Sequence, residues 1–164
     1  MIRRLFISGL IVSSISAFSQ NINKDLVQYL KDADSVLLTH HEDLRLDIET
    51  PGKSVVIHRT LLKNDIPNDK IIKKKILLTP EMRQELIEII KNQKKEKLWE
   101  GAFCFEPHHT IFFYKTKKWS YIDLCFGCKQ YNYVPNVPVN RDDFLRTYQE
   151  WKNLEDFFTK LGLN

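Results

Sequence analysis

The residues best able to do chemistry are crowded into one short stretch of this chain. All three cysteines and two of the five histidines lie between Cys104 and Cys128, with His108 and His109 near the start of the stretch and Cys125 near its end. Thiolates and imidazoles are ligands of zinc, thiols pair into disulfides, and a Cys-x-x-Cys motif can serve thiol exchange or haem attachment. The stretch is therefore the candidate site of the protein.

A β-hairpin would bring these residues together. Segments 110–114 and 119–126 have the strand pattern and flank a polar, lysine-rich tip. Folding the chain at this tip sets Cys125 opposite residues 108–110 and Cys128 opposite residues 105–107, and paired strands lie about 5 Å apart. We therefore expect the thiols and at least one imidazole near a common point at the open end of the hairpin.

Two interpretations of the cluster remain open. In the first, three thiolates and one imidazole complete a tetrahedral zinc site, with ligands drawn from Cys104, His108, His109, Cys125 and Cys128. In the second, a disulfide joins Cys125 to Cys128, or Cys104 to one of them, and leaves one odd thiol. The disulfide is favoured because an exported protein enters an oxidising compartment.

The residues after the Cys-x-x-Cys motif argue against two catalytic uses of it. Thioredoxin-type oxidoreductases place the motif at a helix N-terminus, where the helix dipole lowers the thiol pKa, but residues 129–135 form a poor helix sequence. A c-type haem site needs histidine directly after the second cysteine, and this chain has Lys129 there. The result is similar to the lysine-ligated haem motif of multihaem nitrite reductases, without any accompanying haem motif.

The remaining histidines are predicted to be structural. His40 and His41 precede Glu42 and Asp43, and adjacent side chains on a strand point to opposite faces, so such neighbours rarely bind one ion together. We predict that these four residues form a polar loop between two strands. His58 lies within a strand pattern and is predicted to be half-buried.

The stretch also resembles a pattern found in small exported bacterial proteins of uncharacterised activity. That pattern has a cysteine, two residues, a proline and a polar pair, then an aromatic hairpin and a closing Cys-Phe-x-Cys. The matching residues here are Cys104, Pro107, His108, His109, Tyr121, Ile122, Asp123, Cys125, Phe126 and Cys128. The resemblance covers about a sixth of the chain and implies only that the hairpin and its cysteines form one unit. This chain has His108 at a position of the pattern that we associate with an arginine.

The chain opens like a secretory precursor. Arg3 and Arg4 precede an uncharged apolar run at 5–18 that is too short to span a bilayer, and small residues at Ala17 and Ser19 suit cleavage after Ser19. Residues 1–19 are thus predicted to be a signal peptide, and residues 20–164 a single domain. The removed segment holds two of the 25 basic residues and none of the 21 acidic ones, so the formal net charge falls from +4 to +2. This small excess gives no support to nucleic-acid binding, and no later segment is apolar enough to span a membrane.

The remaining pattern predicts an α+β fold, with a mainly antiparallel sheet built from hairpins and covered by two or three helices. We predict strands at 36–38, 44–48, 54–61 and 71–78, and helices at 24–30, at 80–94 and in a long C-terminal segment that begins at 140–143 and ends at Gly162. There is no glycine-rich phosphate loop, nucleophile elbow or dinucleotide fingerprint.

These observations favour an exported, non-enzymatic domain whose hairpin is stapled by a disulfide or a metal ion, and whose partner is an envelope or extracellular protein or a glycan. The alternative is a metal-dependent or thiol-redox enzyme that uses the three cysteines, with His108 or His109 as ligand or proton carrier. Exposure of the cysteines separates these hypotheses, since a reactive thiol is partly exposed and a staple is buried. A binding module should also present an exposed patch away from the cysteines.

Overall fold

The computed structural model describes residues 23–93 and 104–164. The predicted signal peptide and its cleavage site lie outside these ranges. The described elements are, in chain order, α1 (Lys24–Asp32), β1 (Ser35–His41), β2 (Arg45–Thr50), β3 (Lys53–His58), β4 (Leu62–Lys63), β5 (Ile66–Pro67), β6 (Ile72–Leu77), α2 (Pro80–Lys91), β7 (His109–Lys115), β8 (Lys118–Cys125), β9 (Gln130–Tyr133) and α3 (Tyr148–Lys160). The predicted α+β class is confirmed.

A five-stranded antiparallel sheet in the order β6-β1-β7-β8-β9 forms the centre of the fold. Its middle is the predicted hairpin of β7 and β8. Thr116 and Lys117 at the tip both have positive φ, 51° and 62°, as expected of the hairpin turns that match the twist of the flanking strands. The register sets His109 opposite Leu124, so residue 108 lies level with Cys125, as the sequence predicted.

One face of the sheet is covered by the three helices. Alternate sheet residues such as Leu38, Ile111 and Ile122 enter the main core, where they pack with buried helix residues. Thr79 caps α2 by accepting a hydrogen bond from the Met82 N–H. The helix ends at Lys91, with Asn92 as its C-cap, and so stops before the predicted end at about 94. In the described ranges, no helix has both the length and the apolar content of a bilayer span.

The C-terminal helix is shorter than predicted. It has 13 residues and begins at Tyr148 rather than at 140–143. Leu145 has a positive φ of 52°, which breaks a helical run, and Thr147 and Glu150 then form a reciprocal capping box that starts the helix. Only the end of the prediction is confirmed, since Gly162 follows α3 with a φ of 75°.

The opposite face of the sheet is covered by the segment between β3 and β6. Leu61 and Ile71 from this segment pack on Phe112 of β7 and make a second, smaller core. The segment contains the short β4–β5 pair, which sequence reasoning did not predict. Burial of this face explains why β7 carries four consecutive fully buried residues, at 110–113, rather than an alternating pattern.

A row of polar residues crosses the sheet on this second face. The register pairs Lys75 with Thr39, Thr39 with Thr110, Thr110 with Asp123, and Asp123 with Asn132. Paired residues point to the same face, so the five side chains lie side by side. The side chains of Thr39, Thr110 and Asp123 are buried.

The β2–β3 hairpin forms a separate two-stranded sheet. The two strands are joined by a tight turn in which Gly52 has a φ of 83°, a conformation that favours glycine. All six residues of β3 are exposed, and five of the six in β2 are exposed. The strands were predicted, but their separation from the main sheet was not.

Candidate functional site

The cysteines form a buried disulfide and one exposed thiol. Cys125 and Cys128 are joined across the turn that follows β8, with their Cα atoms 5.5 Å apart. They are 5% and 4% exposed, whereas Cys104 is free and exposed. The disulfide alternative is therefore the one that the structure contains. Lys129 follows with a positive φ of 53°, so no helix begins at the motif, in agreement with the argument against a thioredoxin-type site.

The predicted zinc ligands are not gathered about one point. His108 Nδ1 lies 3.4 Å from Asp43 Oδ1, whereas the ring of His109 packs on the rings of Phe126 and Phe158. Two of the three thiols are in the disulfide. Across residues 23–93 and 104–164, no group of three or more His, Cys, Asp or Glu side chains is arranged to hold a metal ion. The set Cys104, His108, His109, Cys125 and Cys128 stays a prediction that this geometry does not support.

Four histidines meet at one end of the main sheet. His40 and His41 end β1, and His40 pairs with His109 on β7. The rings of His40 and His109 stack with centroids 5.0 Å apart, and the ring of His108 lies 6.5 Å from His40 and 6.4 Å from His41. We call these four residues the histidine cluster.

The predicted polar loop at 40–43 is therefore wrong for its first two residues. Sheet pairing with β6 and β7 continues through His40 and His41, because the neighbouring strands supply backbone partners to both. His41 is fully buried. The strand continues beyond its short apolar run into polar residues, so the apolar pattern did not indicate where the strand ends.

His41 belongs to a buried hydrogen-bond network. Its Nδ1 lies 2.8 Å from the Glu42 carbonyl oxygen, so Nδ1 carries the hydrogen, since a carbonyl only accepts. Its Nε2 lies 3.3 Å from Asp123 Oδ1, which also accepts a hydrogen bond from the Thr110 hydroxyl at 3.2 Å. The contact between Nε2 and Oδ1 is a hydrogen bond that joins β1 to β8. Both ring nitrogens of His41 form hydrogen bonds within the protein and the ring is buried, so its role is structural rather than that of a ligand-binding residue.

The other histidines hold the C-terminal residues against the sheet. His109 Nε2 lies 2.9 Å from the Leu163 carbonyl oxygen, and His40 Nδ1 lies 3.0 Å from the backbone oxygen of Asn164. Lys74 Nζ donates to the Gly162 carbonyl at 3.0 Å. Burial lowers the pKa of His109 to about 4, and burial also lowers the pKa of His40. Both rings are therefore neutral at pH 7.

A cleft of about 860 Å³ lies between the base of the β2–β3 hairpin and residues 104–107. Its wall combines apolar side chains with charged ones, and some of the charged side chains are paired. Arg45 Nε donates to Asp47 Oδ1 at 3.1 Å, and Arg59 forms an ion pair with Glu42. Cys104, whose thiol is free and exposed, is among the residues that line this cleft.

His58 also lines the cleft. The prediction of a half-buried structural residue is wrong, because β3 has no covering element and His58 is exposed. The strand pattern identified its backbone state correctly. The strand pattern did not indicate which strands belong to the main sheet.

An apolar face of the β2–β3 hairpin is open to solvent. The register places Leu46 opposite Ile57 and Ile48 opposite Val55, so these four side chains share one face. Ile48, Val55 and Ile57 are 39%, 37% and 43% exposed. Val56 on the other face is 44% exposed. This is the exposed patch that the sequence analysis expected of a binding module but could not locate.

No family model, no curated protein and no solved structure matches the chain.

Proposed function

We propose that this protein is an exported, non-enzymatic binding domain in which the Cys125–Cys128 disulfide is a structural staple. The observation that carries the proposal is the burial of both sulfur-bearing residues, at 5% and 4% exposure. A thiol that takes part in exchange must be reached by an attacking thiolate, and a buried disulfide is not. The hydrogen bond from the Cys128 N–H to Cys125 Sγ, 3.2 Å long, further fixes the turn.

The binding surface of this proposal is the open face of the β2–β3 hairpin together with the adjoining cleft. The face presents branched aliphatic side chains, and the cleft beside it is walled in part by charged side chains. An apolar centre with a polar surround is the usual make-up of a protein interface. A protein partner therefore fits this surface better than a glycan, whose hydroxyl-rich surface would leave the aliphatic side chains without apolar contacts.

Export rests on two separate features of the chain. Residues 1–19 have the order of a signal peptide, with a basic start, an apolar run and small residues before the predicted cut. A disulfide persists in the oxidising compartments that exported proteins enter. The partner is then an envelope or extracellular protein.

The test is an intact-mass measurement on protein exported through its own signal and alkylated with iodoacetamide. In the native state, also after incubation in a glutathione redox buffer, we expect a single alkylation, at Cys104. After unfolding and reduction, all three cysteines should react. The same spectrum gives the N-terminus, and we expect the mass of a chain cut after Ser19.

Three results would contradict the proposal. Rapid alkylation of Cys125 and Cys128 in the native protein in the redox buffer would make the motif a thiol-exchange site. A zinc adduct that is lost on chelation, with all three thiols free, would point to the metal-dependent alternative. A chain that keeps residues 1–19 would refute export with signal cleavage.

A further inference from the structure

We propose that the outer edge of β3 accepts an extended segment of a partner protein as a third strand of the β2–β3 sheet. This inference rests on the proposed binding function and names the edge and the chemistry of the partner. Strand addition uses backbone hydrogen bonds for affinity and alternate side chains for specificity.

The backbone groups of β3 that face outward follow from the register. The Arg59 N–H donates to the Leu44 carbonyl at 2.7 Å, which makes these two residues a hydrogen-bonded pair. Such pairs alternate with non-bonded pairs along an antiparallel ladder, so Ile57 and Val55 bond to β2. Ser54, Val56 and His58 then turn their N–H and C=O groups away from β2.

Nothing in the described part of the chain pairs with this edge. The other long strand edges, those of β6 and β2, carry charged side chains. β6 carries three consecutive lysines, and β2 carries Asp47 and Glu49. Charged side chains on an edge oppose the addition of a further strand. The run from Ser54 to Ile57 has no charge and three branched apolar residues, so it lacks such protection.

The small apolar area of this edge argues for a strand rather than for a flat protein surface. Val55, Val56 and Ile57 are only 37–44% exposed, so their side chains fall far short of the roughly 800 Å² that each partner buries in a stable interface. Backbone hydrogen bonds must therefore supply much of the affinity. Only an extended segment can form them in a continuous row.

Charge selects a partner segment over a second copy of this chain. If two β3 strands paired antiparallel about Val56, Lys53 of one copy would lie opposite Arg59 of the other. Like charges directly opposite each other destabilise a sheet. β3 and Arg59 together carry basic side chains and no carboxylate. The partner segment is thus expected to be apolar, β-branched and flanked by acidic residues. His58 lies at one end of this edge and also lines the cleft, so the bound segment leads into the cleft.

The experiment uses a fluorescein-labelled heptapeptide of alternating valine and threonine with a glutamate at each end, and measures its binding by fluorescence polarisation. The mature chain, residues 20–164, should bind it saturably. Val56→Pro removes one outward N–H without touching a bond to β2, and proline is tolerated at such edge positions. We expect this variant to bind about tenfold more weakly, the effect of roughly one net hydrogen bond.

Two matched control variants keep the outward backbone N–H of residue 56. Val56→Thr retains the backbone donor and should bind like the wild type. Glu49→Pro blocks the outward edge of β2 instead and should also bind like the wild type. A heptapeptide N-methylated at every internal amide keeps its side chains but loses the donors of both strand edges, and it should not bind. Circular dichroism and thermal unfolding report whether each variant is folded.

Equal binding of the wild type and Val56→Pro, or binding of the N-methylated peptide, would overturn strand addition. Absence of binding to the wild type at millimolar peptide would overturn it as well. A dimer of the wild type that Val56→Pro abolishes would overturn the choice of partner in favour of a second copy. None of these results alters the disulfide exchange measurement, so strand addition and the proposed function can fail separately.

Discussion

His41 and Asp123 form a buried pair that spans two non-adjacent strands of the main sheet, with His41 Nε2 lying 3.3 Å from Asp123 Oδ1. The Thr110 hydroxyl, on the strand between them, donates to the same carboxylate oxygen. Three strands are thereby connected through one oxygen atom. This buried hydrogen-bond network leads to the first prediction.

Replacement of Asp123 by asparagine should preserve stability. An asparagine Nδ2 in the place of Asp123 Oδ1 can donate one hydrogen to His41 Nε2 and the other to the Thr110 hydroxyl oxygen, so both contacts of this atom stay satisfied. We expect a free energy of unfolding within about 1 kcal/mol of the wild type. Asp123→Leu, of similar volume, leaves two buried polar groups without a partner and should cost about 2–5 kcal/mol. Urea unfolding compares the two variants, and equal losses of stability would refute a stabilising role of the hydrogen-bond network.

Stability should fall as the pH decreases from about 6.5 to about 4. The pKa of His109 is lowered to about 4 in the folded protein by burial, with a smaller contribution from the neighbouring His40. The unfolded chain therefore binds this proton more readily, so protonation favours unfolding and the loss is complete below the folded pKa. The lowered pKa of His40 acts with the same sign. The melting temperature measured across this range should decrease on acidification.

His109→Gln is the matched control for this pH dependence. Glutamine offers an amide donor toward the Leu163 carbonyl but does not titrate. Its melting temperature should change less between pH 6.5 and pH 4 than that of the wild type. An unchanged pH profile in this variant would show that His109 is not responsible.

Loss of the disulfide should destabilise the domain modestly. The cross-link closes a loop of only a few residues, so its entropic contribution is about 2 kcal/mol. Cys125→Ala combined with Cys128→Ala should therefore lower the free energy of unfolding by about this amount without abolishing folding. Cys104→Ser, at an exposed thiol, should change it by less than about 0.5 kcal/mol. Equal effects of the two replacements in urea unfolding would contradict the assignment of the disulfide as the staple.

Removal of the capping box should weaken α3. The Thr147 hydroxyl accepts from the Glu150 N–H at 3.2 Å, and Glu150 Oε2 accepts from the Thr147 N–H at 3.0 Å. Thr147→Ala should cost about 1 kcal/mol, whereas Thr147→Ser, which keeps the hydroxyl, should cost little. Thermal unfolding of both variants measures the difference, and a serine variant as unstable as the alanine variant would exclude the cap as the cause.

The sequence was informative wherever local patterns decide the structure. The β7–β8 hairpin and its register followed from two apolar segments around a polar tip, and the start of α2 followed from Thr79 and Pro80. The start of α3 did not, because a left-handed Leu145 cannot be recognised from residue type. The Thr147 and Glu150 signature was present in the sequence and could have located this start.

The candidate site depended more on tertiary contacts, which local patterns do not contain. Burial of Cys125 and Cys128, and the choice of disulfide among three pairings, depend on the surrounding core. The histidine cluster joins residues nearly 70 positions apart. The strand β1 can end in the polar residues His40 and His41 because partner strands and the C-terminal residues supply their hydrogen-bond partners. The open edge of β3 has the same pattern as a strand inside a sheet.

The polar row from Lys75 to Asn132 has a consequence for how the sheet finds its alignment. The side-chain period of a strand is two, so a one-residue slip of any of the five strands would turn its polar member into the helix-covered core. A two-residue slip would keep the face but separate the Thr110 hydroxyl from the Asp123 carboxylate. Apolar neighbours tolerate such shifts, since one aliphatic contact replaces another, whereas a buried carboxylate does not. The row thus favours one strand register over the others that hydrophobic packing alone would allow.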